Sequence, residues 1–154
     1  MFERFAGATR EAVRVSAEEA SRRGDRRIGT DHLLLGLLHD SGSAGALGVS
    51  LDAARTTADV LDRKALESIG IDLGGYLPQP RLRARFRAQS FTSGAREVIT
   101  RTLVLTTGEK ARRITPRHLA LALLERQQPD PAAELLTELG VDRDDAQRRL
   151  AGAA

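Results

Sequence analysis

The sequence has no cysteine and no tryptophan, and only 3% of its 154 residues are aromatic. The lack of cysteine excludes disulfides, thiolate metal sites and a thiol nucleophile. No apolar run approaches the ~20 residues that a membrane-spanning helix needs. The start, Met1 to Phe5, contains charged residues where a signal peptide would be apolar, so we expect a cytoplasmic protein with no membrane segment. A core of Leu, Ala, Val and Ile favours helices over sheets.

Motifs that would identify an enzyme are also missing. The sequence contains no phosphate-binding loop of the Gly-x-x-x-x-Gly-Lys type, no Gly-x-Ser-x-Gly elbow and no His-Glu-x-x-His pair. The histidines His32, His39 and His118 have no further histidines or carboxylates at the spacing of a metal site. We therefore predict a protein without catalytic residues, without a cofactor and without a metal.

The sequence does contain an internal duplication. The segment from Ile28 to Leu38 returns as the segment from Ile114 to Leu124, and the shift of 86 positions also aligns residues 5–38 with 91–124, with 11 of 34 positions identical. A repeat of this kind determines the architecture before any local feature does. We predict a single domain over residues 1–154, with repeat one at 1–70, a Pro/Gly/Arg-rich linker at 71–90 and repeat two at 91–152.

The apolar residues recur at three- and four-residue steps, which predicts helices. The expected fold is all-α, a pseudo-twofold duplication of a four-helix repeat. Thr30 is expected to cap the second helix, with Asp31 in its first turn, and Thr115 followed by Pro116 begins the equivalent helix. Residues 41–45 are Ser-Gly-Ser-Ala-Gly and indicate a loop, so the third helix of repeat one should be shortened. The expected helices cover residues 2–23, 30–40, 51–62, 64–68, 93–107 and 132–139, with one that begins at 116 and a last one from 142.

Basic residues are concentrated in one segment. The net charge is +3, but residues 81–101 hold six arginines and one glutamate, a local charge of +5. Clustered arginine is the expected footprint of an anion- or nucleic-acid-binding protein, so this is one hypothesis for the function. The scarcity of aromatic residues and the absence of a nucleic-acid-binding motif argue against nucleic acid. The arginines of this segment are Arg81, Arg83, Arg85, Arg87, Arg96 and Arg101.

Three features together resemble a known family. They are the opening Met-Phe-Glu-Arg-Phe, the segment from Ile28 to Leu38, and the duplication itself. They resemble the amino-terminal repeat domain of Clp ATPases, most closely the ClpC type, over nearly the whole chain. The resemblance implies an all-α domain of two four-helix repeats that receives substrates and adaptor proteins for an ATP-driven unfolding ring. Because the arginine run from 81 to 87 and the shortened third helix depart from a ClpC amino-terminal domain, we expect a free-standing Clp-N-like protein rather than a fragment of a longer protein.

The resemblance also implies a site for phosphoarginine at the second helix of each repeat. ClpC-type domains use an acidic residue of a Gly-Thr-Glu-His motif, and here Thr30 and Asp31 occupy the matching positions of repeat one. A carboxylate can accept a bidentate guanidinium. In repeat two the matching residue is Arg117, which reverses the charge. The alternative is that Asp31 only interacts with the helix dipole.

A second site implied by the resemblance is a groove between the repeats that binds cyclic-peptide antibiotics. The matching residues are Phe2, Arg10, Phe91 and Arg96. The alternative is that Phe5 and Phe91, which are equivalent in the two repeats, both belong to the core.

Taken together, we expect a non-catalytic peptide- or protein-binding module that modulates a Clp protease system. Its expected partners are substrates, adaptors, cyclic-peptide inhibitors or a Clp unfoldase. The alternatives are anion or nucleic-acid binding through Arg81–Arg101, and a scaffold that dimerises through its apolar groove.

Overall fold

The structure, a computed structural model, describes residues 2–72, 74 and 90–152. Within these ranges eight α-helices and two short strands are present, and the expected all-α fold is confirmed. The helices of the first repeat are α1 (Gly7–Arg22), α2 (Thr30–Leu37), α3 (Ser41–Leu47) and α4 (Leu51–Ser68). Those of the second are α5 (Ser93–Gly108), α6 (Pro116–Leu124), α7 (Pro131–Glu138) and α8 (Arg143–Gly152). The strands are β1 (Arg27–Ile28) and β2 (Ser90–Phe91).

The first helix begins later than its apolar pattern predicts. Residues Phe2–Arg4 form a separate 3₁₀ turn, and Phe5 leaves the helical conformation to pair in parallel with Ile114. The Ala6 N–H donates to the Ile114 carbonyl at 2.9 Å, and the Ile114 N–H donates to the Arg4 carbonyl at 2.9 Å. This pairing, which lies between the repeats, is why α1 starts at Gly7 instead of residue 2.

The prediction of a loop at residues 41–45 is wrong, because these residues form most of α3. The helix is stabilised by its caps rather than by its composition. The Asp40 carboxylate accepts from the Ser43 N–H at 2.9 Å and from the Ser43 hydroxyl at 2.7 Å. Gly48 ends the helix in the left-handed conformation, with φ of 69°. At seven residues, α3 is shorter than the eight-residue α7 by a single residue.

The fourth helix is also longer than predicted, since α4 runs without a break to Ser68. Its N-cap is Ser50, whose hydroxyl accepts from the Ala53 N–H at 3.1 Å. The linker prediction, including Pro78, Pro80 and the arginines from 81 to 87, concerns residues that lie almost entirely outside the described ones.

The two repeats are joined by reciprocal strand pairs. Phe5 pairs with Ile114, and Ile28 of β1 pairs with Phe91 of β2, both in parallel. By the shift of 86 positions, Phe5 is equivalent to Phe91 and Ile28 to Ile114, so the two pairs are the same interaction made twice. In each pair, the segment before the long first helix of one repeat lies beside the segment before the second helix of the other.

The later helices of the two repeats also pack against each other reciprocally. α3 packs against α8, and α4 packs against α7, so the later helices of each repeat contact those of the other. The centre of the molecule is formed by α2 and α6, whose leucines are buried except for the half-buried Leu121; Leu33, Leu35, Leu119 and Leu123 are at most 1% exposed. The two repeats therefore share one core.

α1 and α2 approach each other closely at Gly36. A Cβ atom on Gly36 would lie 2.2 Å from the Ser16 hydroxyl oxygen and 2.3 Å from the Ala12 carbonyl oxygen. Gly36 therefore allows α2 to lie directly against the backbone of α1.

Candidate functional site

An open cleft of about 700 Å³ lies between the two repeats. Its apolar floor comes from α4 and α7, and the starts of α2, α5 and α7 meet at its rim. The floor residues are Ala58, Leu61, Ala65, Pro131 and Leu135. The charged residues of the lining are Arg23, Asp25, Arg26, Arg27, Asp31, Asp62, Asp130 and Glu134, and five of these eight are carboxylates. An apolar floor with a few polar groups at its edge is the usual form of a ligand-binding site.

Asp31 lies in the first turn of α2, and its carboxylate is already paired. Arg23, directly after α1, donates from Nη1 to Asp31 at 2.7 Å and from Nη2 to Asp62 on α4 at 2.6 Å. The side chain of Arg23 is 10% exposed, that of Asp31 16% and that of Asp62 58%. Burial disfavours the charged guanidinium, but the two carboxylates outweigh it and raise the pKa of Arg23.

The Nε–H of Arg23 is buried without a hydrogen-bond partner among the described residues. The guanidinium is therefore held by its two terminal nitrogens alone, with its third donor desolvated. A buried donor in this state carries a free-energy cost that the two ion pairs offset.

The equivalent pair in repeat two has the opposite polarity. Arg23 is equivalent to Glu109, and Asp31 is equivalent to Arg117. Arg117 donates from Nη1 and Nη2 to the two carboxylate oxygens of Glu109 at 2.7 and 3.1 Å, and from Nε to the Leu150 carbonyl at 2.8 Å. The hydrogen bond from Arg117 is the main reason that the pKa of Glu109 is lowered. Each repeat thus ties the end of its first helix to the start of its second, but with the charges exchanged.

The equivalent histidines have a structural role in this arrangement. The Gly29 N–H donates to Nδ1 of His32 at 2.9 Å, and the Thr115 N–H donates to Nδ1 of His118 at 3.0 Å. Because Nδ1 accepts, the ring proton is on Nε2, which faces Asp25 at 3.0 Å in repeat one and Glu109 at 3.2 Å in repeat two. Both rings are 3% exposed and hold the start of α2 or α6 in place.

The prediction that Thr30 caps α2 is wrong, because the N-cap is Gly29 and Thr30 is the first helical residue. Thr30 is 2% exposed, and its hydroxyl donates to Asp130 at 2.9 Å and accepts from the Ala132 N–H at 3.2 Å. The hydroxyl joins α2 to the start of α7, so it is part of the contact between repeats at the cleft.

Of the residues predicted for a cyclic-peptide groove, Arg10, Phe91 and Arg96 do not line the cleft between the repeats. Arg10 on α1 and Arg96 on α5 are exposed at equivalent positions, and neither lines the cleft. Phe91 is half-buried in β2, whereas its equivalent Phe5 is 1% exposed. The side chain of Phe2 lies outside the described residues. The two phenylalanines proposed as equivalent core residues therefore differ, since only Phe5 is fully buried.

The basic segment is only partly described. Its arginines from 81 to 87 lie outside the described residues. Arg96 is exposed, whereas Arg101 is engaged, donating from Nε and Nη2 to the two carboxylate oxygens of Glu125 at 2.6 and 3.0 Å. Among the described residues no group of His, Asp or Glu is placed to hold a metal ion, and no helix is long and apolar enough to cross a membrane.

The fold is that of an all-α domain of two repeats with a cleft between them, and comparison with known proteins shows which domains it resembles. Residues 90–154 match the family described as the Clp repeat (R) N-terminal domain. The chain is 29% identical over 145 residues to the chloroplastic chaperone protein ClpD1 of Oryza sativa subsp. japonica, covering 92% of this chain and 15% of that protein's length. The predicted resemblance to Clp amino-terminal repeat domains is thereby confirmed.

Solved structures show the same fold over nearly the whole chain. The N-terminal domain of ClpD from Arabidopsis thaliana superposes with a TM-score of 0.77 at 23% identity, covering 99% of this chain and 96% of that one. The Hsp104 N-terminal domain from Candida albicans has a TM-score of 0.67 at 16% identity, covering 98% and 91%.

Sequence reasoning missed Arg23 and Asp62 as residues of the site. Arg23 and its equivalent Glu109 are of opposite charge, and so are Asp31 and its equivalent Arg117. This double exchange between the aligned repeats is the signal that two positions form a pair. Asp62 could not be found in this way, because its contact with Arg23 depends on how α4 packs.

Proposed function

We propose that this chain is a non-catalytic module that binds peptides or unfolded protein segments in the cleft between its repeats. It resembles the substrate- and adaptor-receiving domain of Clp unfoldases. In that role it would modulate a Clp protease system by binding substrates, adaptors or cyclic-peptide inhibitors. Competition of this kind works by mass action and needs an abundant or tight-binding protein.

The observation that carries the proposal is the composition of the cleft. Leu61 of α4 and Leu135 of α7 both line its floor, and the carboxylates of Asp62 and Glu134 also belong to its lining. Apolar side chains of a bound segment would be buried on the floor, and its cationic side chains would be near the carboxylates. The cleft therefore suits an extended segment in which apolar residues alternate with Lys or Arg.

The same geometry limits binding of phosphoarginine at Asp31. A ligand guanidinium has to displace that of Arg23, which is already held by two carboxylates at 2.7 and 2.6 Å. The free energy of breaking the ion pair between Arg23 and Asp31 offsets the interaction of the ligand with Asp31, so we expect weak binding or none in the unmodified protein. Removal of Arg23 should free the carboxylate and strengthen the binding.

The test compares two neighbouring residues of α4. Leu61 lines the cleft, whereas Val60 is 37% exposed and does not. Reduced, carboxymethylated α-lactalbumin serves as an unfolded probe, and its binding is followed by calorimetry and by backbone amide shifts. Burial of about one leucine side chain corresponds to roughly tenfold in affinity.

We expect saturable binding that Leu61→Asp weakens by about tenfold or more, with amide shifts around Leu61 and Leu135. Val60→Asp adds the same charge on the same helix and should leave the affinity unchanged. Equal losses in both variants, or no binding at all by the unmodified protein, would contradict the proposal.

A further inference from the structure

Four exposed cationic side chains are gathered at the loop between α5 and α6. They are Arg4, Lys110, Arg112 and Arg113, which we call the α5–α6 basic cluster. None of them lines the cleft, and none forms an ion pair with a described residue. Arg4 belongs to the turn before α1, and its Nη2 donates to the Ala111 carbonyl at 3.3 Å. This bond holds the Arg4 guanidinium beside the loop.

Two members of the cluster, Arg4 and Arg113, carry the same charge and lie at neighbouring positions. The parallel pairing of Phe5 with Ile114 places Arg4 beside Arg113 in register. Since Phe5 and Ile114 are both buried, the preceding residues face outward on the same side. Like charges in this relation are destabilising. At the equivalent pairing, Arg27 has Ser90 as its neighbour, so the repulsion occurs in one repeat only.

The backbone of the cluster is also strained at one residue. Lys110 has φ of +55°, a left-handed conformation that residues other than glycine, asparagine and aspartate seldom adopt. Its equivalent in repeat one is Gly24, with φ of +78°. A lysine is thus present at a position where the backbone favours glycine, and such retained strain is typical of functional positions.

Neither Glu3 nor Glu109, the described carboxylates next to the cluster in sequence, forms an ion pair with any of its four residues. Glu109, the adjacent residue in sequence, has both its oxygens engaged with Arg117 and lies within 3.2 Å of His118. In the equivalent loop of repeat one, position 111 is matched by Asp25, which supplies a carboxylate that Ala111 cannot. The cluster therefore combines repulsion, strain and unpaired charge, and an anionic ligand would reduce the repulsion and pair the charge.

We propose that the α5–α6 basic cluster binds an acidic segment of a partner protein, a short run of Asp and Glu residues. Carboxylates match arginine guanidinium groups in geometry and charge. The cluster is small and has no aromatic side chain on which a base could stack, which favours a peptide over a nucleic acid. This surface is separate from the cleft, so the inference does not depend on the proposed peptide binding there.

The test measures fluorescence anisotropy of two labelled probes, octaglutamate and an eight-nucleotide oligothymidylate, titrated with the full chain. We expect octaglutamate to bind and its affinity to fall as salt is added. Arg113→Ser and Lys110→Gly should each weaken octaglutamate binding about twofold to fivefold, the effect of one exposed charge pair. Arg63→Ser, which removes an exposed arginine of α4, should not change it.

Lys110→Gly should change stability as well as binding. A lysine with only a structural role would not give both a higher melting temperature and weaker octaglutamate binding when it is replaced. Because the substitution relieves the strained backbone, it should raise the melting temperature by about 2–4 °C while it weakens binding. The proposal is overturned if octaglutamate fails to bind, if Arg63→Ser weakens its binding as much as Arg113→Ser does, or if the oligothymidylate binds more tightly and loses its affinity in the same variants.

Discussion

Replacement of Arg23 by methionine tests the ion pairs that Arg23 forms with Asp31 and Asp62 at the cleft. Methionine preserves most of the packing volume but leaves the Asp31 and Asp62 carboxylates without their cation. The Arg23 side chain is 10% exposed and that of Asp31 is 16% exposed, so Asp31 would be left as a largely buried, unpaired charge. Asp62 is 58% exposed and would be solvated by water.

The size of the effect follows from these exposures. Breaking a fully buried pair by removing one partner costs about 3–5 kcal/mol, and the partial exposure of Asp31 reduces this to about 2–4 kcal/mol. Asp31→Asn should cost less, about 1–2 kcal/mol, because the amide oxygen still accepts from Arg23 and Asp62 still supplies a charge. Asp62→Asn should cost at most about 1 kcal/mol, since a mostly exposed carboxylate contributes little.

The assay is urea unfolding followed by helical circular dichroism at neutral pH, with thermal melting as a second measurement. A loss of about 2–4 kcal/mol corresponds to a fall in melting temperature of roughly 5–15 °C for a chain of this size. Arg14→Met, on the helix that Arg23 directly follows, is the control, because Arg14 pairs with Glu11 and Glu18 entirely on the surface. We expect it to have little effect.

The reasoning is refuted if Arg23→Met is no more destabilising than Arg14→Met, or if Asp62→Asn costs more than Asp31→Asn. The same variant also reports on the site. If Arg23 blocks the Asp31 carboxylate, Arg23→Met should bind phosphoarginine more tightly than the unmodified protein, and Arg23→Met combined with Asp31→Asn should not.

The remaining predictions concern three buried positions. Burial raises the pKa of Glu19, but hydrogen bonds to its carboxylate outweigh burial and lower it. The stability that Glu19 contributes should therefore be lost as the pH falls below the ordinary glutamate pKa of about 4.3. Urea unfolding measured from pH 7 to 3 should show a smaller loss of stability for Glu19→Gln than for the unmodified protein. Gly36→Ala should destabilise the protein by about 2 kcal/mol or more, since its Cβ would overlap the backbone of α1. A thermal melt like that of the unmodified protein would contradict the close helix approach. Ala122→Gly, at the equivalent position of repeat two, should cost about 1 kcal/mol. Phe5→Ala should cost about 3–5 kcal/mol and Phe91→Ala clearly less, and equal losses in urea unfolding would mean that both rings are core.

The parts of the fold that follow from local patterns could be predicted from the sequence. The duplication, the helices α5 and α6, and the capping of α6 by Thr115 with Pro116 as its first residue depend on neighbouring residues and are present as expected. α3 could not be predicted from the propensities of Ser and Gly. It forms because Asp40 satisfies the N–H of Ser43 and because α8 packs against it, and the second of these is a contact between distant residues.

The site was less predictable for the same reason. Asp31 could be located from its motif, but its pairing with Arg23 depends on the angle at which α1 meets α2. The late start of α1 likewise depends on Ile114, more than a hundred residues away in the chain. Periodicity identifies the face of a helix that is buried, but it does not identify the residue against which that face is buried.

The reciprocal strand pairs have a consequence for how the two halves came to differ. Each half completes the other in the way that two identical subunits do across a twofold axis. In a symmetric dimer every substitution appears twice, so a pair of residues cannot exchange its charges on one side alone. Once both copies are encoded in a single polypeptide this restriction disappears. The Arg23–Asp31 pair, its inverted counterpart, and the lysine at position 110 where repeat one has Gly24 are differences that a symmetric dimer could not carry on one side alone.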